Sequence, residues 1–382
     1  MRKTLIGMAT VLVAMSSCME DEVLERNQGN ALAFRASIDK ALSRSGNENV
    51  TDLGKLQEFK VTATIDGQSN YFTNMLVSKA SSGSTWNTEH TYYWPSYNLG
   101  FYAYAPTNIG GVSINDAGKK ITDFAPDKDV NKQIDLLVAY NTGNRTDNEL
   151  SGVALNFKHA LSQIDVQAKC SNPNIEIVVK SIRFVNVKTK GSFTYPTQTT
   201  TAGNGTTLAG CWDLGNEVSS GADYKASFDQ SQEVTLGTDP KSINPSNNNF
   251  MLIPQQLTKW EKTSAANGAY IAVLCRISSK DGDAKTQLYP ELNGGNAEKF
   301  GSIIVPIGTN WEAGKKYTYT LNFCGDGGGA GQVDPNPDGN DPNVDPDPKP
   351  GSSGGDPVLG NPIKFTVTVE NWTEIPAEEI DL

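Results

Sequence analysis

The chain has 382 residues, with 43 acidic against 32 basic side chains and a net charge of −11. That balance argues against nucleic acid as a partner, since binding it needs clustered Lys and Arg to neutralise phosphates, and against attachment to an anionic membrane by charge alone. The 36 Gly and 19 Pro, with frequent Thr, Ser, Asn and aromatic residues, describe a β-rich, turn-rich chain long enough for two domains.

Arg2 and Lys3 precede an uncharged, mostly apolar run from Thr4 to Ser17, and Cys18 follows. A charged start, a short apolar stretch and small residues at the cut are the layout of an export signal. The run is too short for a membrane span of ~20 residues. Met15-Ser16-Ser17-Cys18 resembles the lipobox of bacterial lipoproteins, whose cysteine takes lipid and becomes the new N-terminus. The expected tether is therefore lipid on Cys18; an ordinary secretory signal with a nearby cysteine is the plainer alternative. Cleavage there removes Arg2 and Lys3 and leaves 30 basic against 43 acidic residues, net −13. Cys170, Cys211, Cys275 and Cys324 remain, at long and irregular spacings with no CxxC pair to suggest zinc. Cys170 and Cys275 sit in strand-like runs as buried free thiols, and no disulfide is expected to be required.

Residues 31–40, ALAFRASIDK, read as a half-buried strand with Leu32, Phe34, Ala36 and Ile38 on one face. A polar stretch holding Arg44 follows, and 52–59 suggests a turn or two of helix. Strand-like runs continue at 59–65, 71–77 and 134–140. Aromatic residues crowd through Tyr92, Tyr93, Trp94, Tyr102 and Tyr104; they could form a carbohydrate platform, but aromatics alternating in strands are more often core. A second block opens near Val153, with runs at 153–168, 175–187, 250–253, 271–277, 302–306 and 317–323. Many short strands without helical periodicity predict an all-β protein of β-sandwich domains.

From Gly325 to Pro362 the chain turns to Gly, Asp-Pro and Asn-Pro, which predicts an extended, mobile linker. Its aspartates are interrupted by prolines and lack the closing glutamate of an EF-hand loop. Beyond it, Ile363, Phe365, Val367 and Val369 point to one face of a strand and Lys364, Thr366, Thr368 and Glu370 to the other, with Trp372 after them. A lone strand cannot fold by itself, so it must complete a sheet in its own chain or in another.

Chemistry has little to work with. His90 and His159 are the only imidazoles, and His159, within a strand-like run, reads as structural. There is no GxSxG elbow, P-loop or HExxH motif, and nothing singles out a pair of carboxylates. No catalytic residue, metal site or cofactor is assigned, and the chain is not expected to be an enzyme.

Taken together, ALAFRASID, the stretch from Trp86 through Tyr92-Tyr93-Trp94-Pro95 to FYAYAP, LNFKHALSQIDV, and Trp311-Glu312-Ala313-Gly314-Lys315-Lys316-Tyr317-Thr318-Tyr319 resemble the fimbrillin-like (Mfa-like) proteins of Bacteroidales, the subunits of type V pili. Glu20, Asp21 and Glu22 after Cys18 are also similar to the acidic signal that sends lipoproteins of these bacteria to the cell surface, although a solvated tail has the same look. The resemblance implies two tandem transthyretin-like β-sandwiches and a lipidated precursor at the outer membrane. It implies an arginine-specific protease that cuts after Arg44 and frees the first strand, and a neighbouring subunit whose extended segment fills the groove left behind. Arg35, inside the strand, is the worse site, because proteolysis needs exposed backbone. The expected division is a signal peptide over 1–17, a prosegment with the removable strand over 18–45, sandwiches over 46–152 and 153–324, the linker over 325–362, and the terminal strand over 363–382. The expected function is a polymerising subunit of a cell-surface fimbria whose partners are other fimbrial subunits, with Ile363, Phe365, Val367 and Val369 as the donor face. The alternative is a non-polymerising surface lipoprotein, pilus anchor or tip that binds a glycan or a receptor on a host or bacterium.

Overall fold

The computed structural model describes residues 31–38, 56–65, 69–81, 85–109, 113–114, 119–201, 207–220, 223–245, 248–292, 299–325 and 328–372. The first part of the chain supplies β1 (Phe34–Ile38), β2 (Glu58–Ile65), β3 (Ser69–Lys79), β4 (Trp86–Thr88) and β5 (Leu99–Ala105). It continues through β6 (Ser113–Ile114), β7 (Lys120–Phe124), β8 (Leu137–Gly143), the helical turn α1 (Arg145–Asn148) and β9 (Val153–His159). Then come β10 (Ser162–Cys170), β11 (Ile175–Val185), β12 (Gly191–Thr194), β13 (Trp212–Leu214), β14 (Lys225–Ser227), β15 (Val234–Thr235) and β16 (Lys241–Ser242). The last strands are β17 (Phe250–Leu252), β18 (Tyr270–Asp281), β19 (Ala284–Tyr289), β20 (Gly301–Pro306), β21 (Lys315–Phe323), β22 (Gln332–Val333) and β23 (Lys364–Asn371). The all-β expectation holds. The helix expected over 52–59 does not form where the chain is described, since β2 already starts at Glu58.

The first sheet runs β1-β9-β8-β5-β2-β3-β4. β8 and β9 pair only over Leu137↔His159 and Val138↔Lys158. Beyond that point β9 swings over the sheet and carries β1 with it. The ring of Phe34 on β1 lies 5.5 Å from Phe101 on β5 and 6.2 Å from Phe59 on β2, and Phe157 on β9 lies 5.2 Å from Phe59. One sheet thus folds on itself around a core of Phe34, Phe59, Val61, Phe101, Leu155 and Phe157. β5, LGFYAYA, is buried on both faces. Leu99, Phe101 and Ala103 fill that core, while Tyr102 and Tyr104 face a second one.

That second core is roofed by a small sheet, β13-β12-β7-β6. Ile121 and Phe124 from β7 and Phe193 from β12 pack with Tyr102, Tyr104 and Val138. The largest core lies between two further sheets. One is β16-β10-β21-β23, with β17 also on β10; the other is β14-β11-β18-β20-β22, with β15 on β11 and β19 on β18. β10 and β21 run parallel and contribute Ile164, Val166, Tyr317, Tyr319 and Leu321, against Ile177, Phe184, Val273 and Ile303 from the other side. A bulge between Val179 and Ser181 shifts the inward parity of β11, so that Ile177 and Val179, then Ile182 and Phe184, all face in.

One expected boundary is corrected. Val153–His159, expected to open the second sandwich, is a strand of the first sheet, because Val153, Leu155 and Phe157 fill the same core as Phe34. The Asn- and Gly-rich corner before it is a capped helical turn, with Asn144 accepting from the Asp147 N–H, and not a domain break. The halves are also interleaved, since β7 pairs with β12.

The expected mobile linker is instead packed on the second pair of sheets through its described residues. Val333 pairs with Ile303, and Ala330, Val344 and Val358 are buried. Its aspartates dock on cations: Arg183 bonds Asp334, and Lys225 bonds both Asp338, at 3.0 Å, and Asp341. Ser302 Oγ and Tyr270 OH also donate to Asp334, at 2.6 and 3.2 Å. Asp334, Asp338, Asp341 and Asp345 each accept a bond from the backbone N–H two residues on, so the segment satisfies its own backbone in a chain of Asx turns. Composition reasoning failed here because it counted apolar side chains and could not see the basic residues waiting on β11 and β14.

Candidate functional site: the two terminal strands

β1 lies parallel to β9 in register from Phe34↔Val153 to Ile38↔Phe157. Leu32, Phe34 and Ala36 are buried and Ile38 partly so, as the alternation predicts. The Leu32 N–H donates to Tyr92 O at 2.8 Å and the Val153 N–H to Ala33 O at 2.8 Å. Gly152, at φ +69°, lets the chain turn tightly here: a Cβ on it would sit 3.1 Å from Ala33 O. β1 is the last strand of its sheet, so it can leave without breaking an interior pair. What it would leave is an apolar trough floored by Phe59, Phe101 and Phe157, beside the unpaired backbone of β9.

β23 lies at an edge too, antiparallel to β21, with Leu321↔Phe365, Tyr319↔Val367 and Tyr317↔Val369 opposed. The four expected donor residues do share a face, but unequally. Ile363 is buried, Phe365 and Val367 are half-buried, and Val369 is 51% exposed. Trp372 is the anchor that sequence reasoning missed. It is buried, its backbone N–H donates to Gly314 O at 2.9 Å, and its ring stacks on His159 at 4.0 Å and 12°. A tryptophan breaking a polar tail straight after an alternating strand was the available signal.

His159 itself is buried, with Nδ1 2.8 Å from Asp135 Oδ2. Closed off beneath Trp372, the pair has no contact with a surface where a substrate could sit, and a general base needs that reach. His90 is exposed at a bend. Cys18 and Arg44 lie outside the described residues.

The five aromatics considered for a carbohydrate platform do not assemble on one surface. Trp94, Tyr102 and Tyr104 are buried, Tyr92 packs on Phe72 at 4.7 Å, and Tyr93 alone of the five is exposed. Tyr102 stacks on Tyr140 at 4.8 Å, and its hydroxyl is pushed up to about 12 by burial and then by Tyr140. Beside them lies a half-open cleft of about 380 Å³, lined by Gly100, Tyr140, Thr142, Lys119 and Pro196 among others.

A family model described as fimbrillin-like matches residues 46–336. Among solved structures, a fimbrial protein from Bacteroides vulgatus aligns with a TM-score of 0.54 at 14% identity, covering 90% of this chain and 99% of that one. Two Parabacteroides distasonis proteins named for cell adhesion give TM-scores of 0.48 at 11% identity (90% and 99% covered) and 0.46 at 10% (92% and 98%). No curated protein matches. At 14% identity the Bacteroides vulgatus structure speaks for the fold alone, whereas the family match spans well over half of the sequence. The chain belongs to the fimbrillin-like family.

Proposed function

We propose that this protein is a structural subunit of a cell-surface fimbria, built on two tandem transthyretin-like sandwiches and polymerising by strand exchange. The precursor leaves the cytoplasm on its signal peptide, takes lipid on Cys18 and is held at the outer membrane. An arginine-specific protease cuts after Arg44 and β1 withdraws. A neighbouring subunit then lays its Ile363, Phe365, Val367 and Val369 face into the trough. Such a contact is head-to-tail and does not close on itself, so it grows a filament.

One observation carries this reading. The first strand is an edge strand that fills a core with Leu32, Phe34 and Ala36, and a stretch holding Arg44 links it to the body. The test is to treat purified precursor with an arginine-specific protease and look for filaments by electron microscopy. Filaments whose subunits start at Ser45 are expected, and none from Arg44→Ala. Normal filaments from that variant, or clean cleavage that yields only monomers, overturns the reading.

A second reading is favoured by the hold on β23, which is pinned by buried Ile363 and Trp372 at its two ends. That suits a subunit that keeps its last strand: a fixed surface lipoprotein, anchor or tip that captures a glycan or a surface receptor. N-terminal sequencing of the surface form separates the two, since retained lipid on Cys18 supports the second.

A further inference from the structure

Cys170 ends β10 and Cys324 directly follows β21, its parallel neighbour, with Cys170 registered against Phe323. In a continued strand, Cys324 would point to the face opposite Phe323, away from the core. It does not continue. Its φ is +51°, a left-handed conformation that non-glycine residues seldom adopt. The turn brings the part-exposed Cys324 thiol back against the core that holds Cys170, within hydrogen-bonding reach of the Cys170 sulfur. Cys324 is thus one residue beyond the registered partner of Cys170, across a strand spacing of ~4.8 Å, and a disulfide spans Cα atoms up to ~6.8 Å apart.

We propose that Cys170 and Cys324 form a disulfide once the chain is in an oxidising compartment, which rests on the export reading above. The oxidant is a disulfide of the thiol–disulfide exchange class, carried by a protein or by glutathione. Part-exposed Cys324 meets it first: its thiolate attacks one oxidant sulfur, and the other leaves as a thiolate. Cys170 then attacks Cys324 Sγ, forms the Cys170–Cys324 bond and expels the second oxidant sulfur. Two protons pass from the protein thiols to the oxidant sulfurs, and two electrons go with them. Cys170 suits the second step, because it is buried on the strand beside Cys324 and meets the mixed disulfide from within the fold. Cys275, on β18, and Cys211, just ahead of β13, are buried elsewhere, and burial pushes both thiols up. The bond falls where the chain leaves the sheet for residues 328–362, so it pins β21 to β10 while the strand beyond, β23, is free to exchange.

The test uses the full chain carrying Cys18→Ala, so that the lipid thiol cannot interfere. It is equilibrated with a mixture of reduced and oxidised glutathione, alkylated under denaturing conditions and mapped by mass spectrometry. A cross-linked Cys170–Cys324 peptide is expected, 2 mass units below the reduced pair, with Cys211 and Cys275 alkylated. Cys324→Ser, at the part-exposed position, should keep the wild-type circular dichroism and lose the cross-link. Four alkylated cysteines, or a different pairing, overturns the proposal. This readout needs no export, so its failure is separate from that of the lipid tether, which membrane fractionation of Cys18→Ala reads.

Discussion

The first and last strands of the described chain are both edge strands with alternating apolar residues, and they are held in opposite ways. β1 is held along its length: Leu32, Phe34 and Ala36 are each buried, and Phe34 meets two rings edge-on. β23 is held at its ends, by Ile363 and Trp372, while its middle lies half-open and Val369 is exposed. Fully burying a large apolar side chain is worth ~1.5–3 kcal/mol. Removing β1 therefore opens a core, whereas lifting β23 breaks two buried anchors, an edge ladder to β21 and the half-buried contacts of Phe365 and Val367. The proposed exchange, in which β1 is replaced and β23 is lent, calls for such a difference.

The largest expected effect breaks the comparison at its strong end. Phe34→Ala should cost ~3–5 kcal/mol in denaturant unfolding of the intact precursor, through lost burial and the cavity left among Phe59, Phe101 and Phe157. A loss under ~1 kcal/mol would mean that the trough collapses without β1 and offers a donor nothing to fill.

Next comes the anchor of the other strand. Trp372→Ala should cost ~3 kcal/mol and should speed hydrogen exchange across 364–371 without touching 34–38. If β23 exchanges no faster, the strand is held by its ladder to β21 and not by its end. A variant that also loosens β1 would show that the two strands are coupled through His159, which ends β9 beneath the Trp372 ring.

A smaller effect concerns the segment leading to β23. Burial pushes Asp341 up, but the hydrogen bonds from Lys225 and Asn343 together hold it below the usual carboxylate range. Its folded value lies below its unfolded one. Its contribution is thus full above pH ~4 and fades as the pH falls through the folded value. Because it is part-exposed the gain is ~1 kcal/mol at most. Hydrogen exchange over 328–362, corrected for intrinsic rates, should rise between pH 5 and pH 3, and Asp341→Asn should flatten that rise. An identical response in both proteins would place the acid-sensitive contact elsewhere.

Both terminal strands were legible in the sequence, because period-2 alternation is local and neither Leu32-to-Ile38 nor Ile363-to-Val369 needs a partner to be seen. What pairs with what was not. Val153, Leu155 and Phe157 read as a strand, yet only the aromatic contacts of Phe34 and Phe59 assign them to the first sheet. The 325–362 segment was misread because its affinity for the fold is ionic: Arg183 and Lys225 lie over a hundred residues away from the aspartates they bind. The thiol pair was invisible for a third reason. It depends on the sign of one backbone angle at Cys324, which no pattern of residues announces.

The smallest expected effect on stability is the sharpest test of the difference between the two strands. At home Val369 is 51% exposed opposite Tyr317, so Val369→Thr should leave denaturant unfolding within ~0.5 kcal/mol of wild type. In a neighbour's trough the same side chain would take a position like those of Leu32, Phe34 and Ala36, all buried. A hydroxyl placed there without a partner costs ~1–3 kcal/mol, which is roughly a five- to hundredfold loss of affinity. Filament yield after arginine-specific cleavage should therefore fall well beyond anything the monomer's stability explains. A variant that loses stability in proportion to assembly would show that the face is buried at home. One that assembles as well as wild type would show that Val369 enters no trough, and the donor face would then end at Val367. The home structure gives this position almost no reason to be apolar, so a neighbouring subunit is the place to look for one.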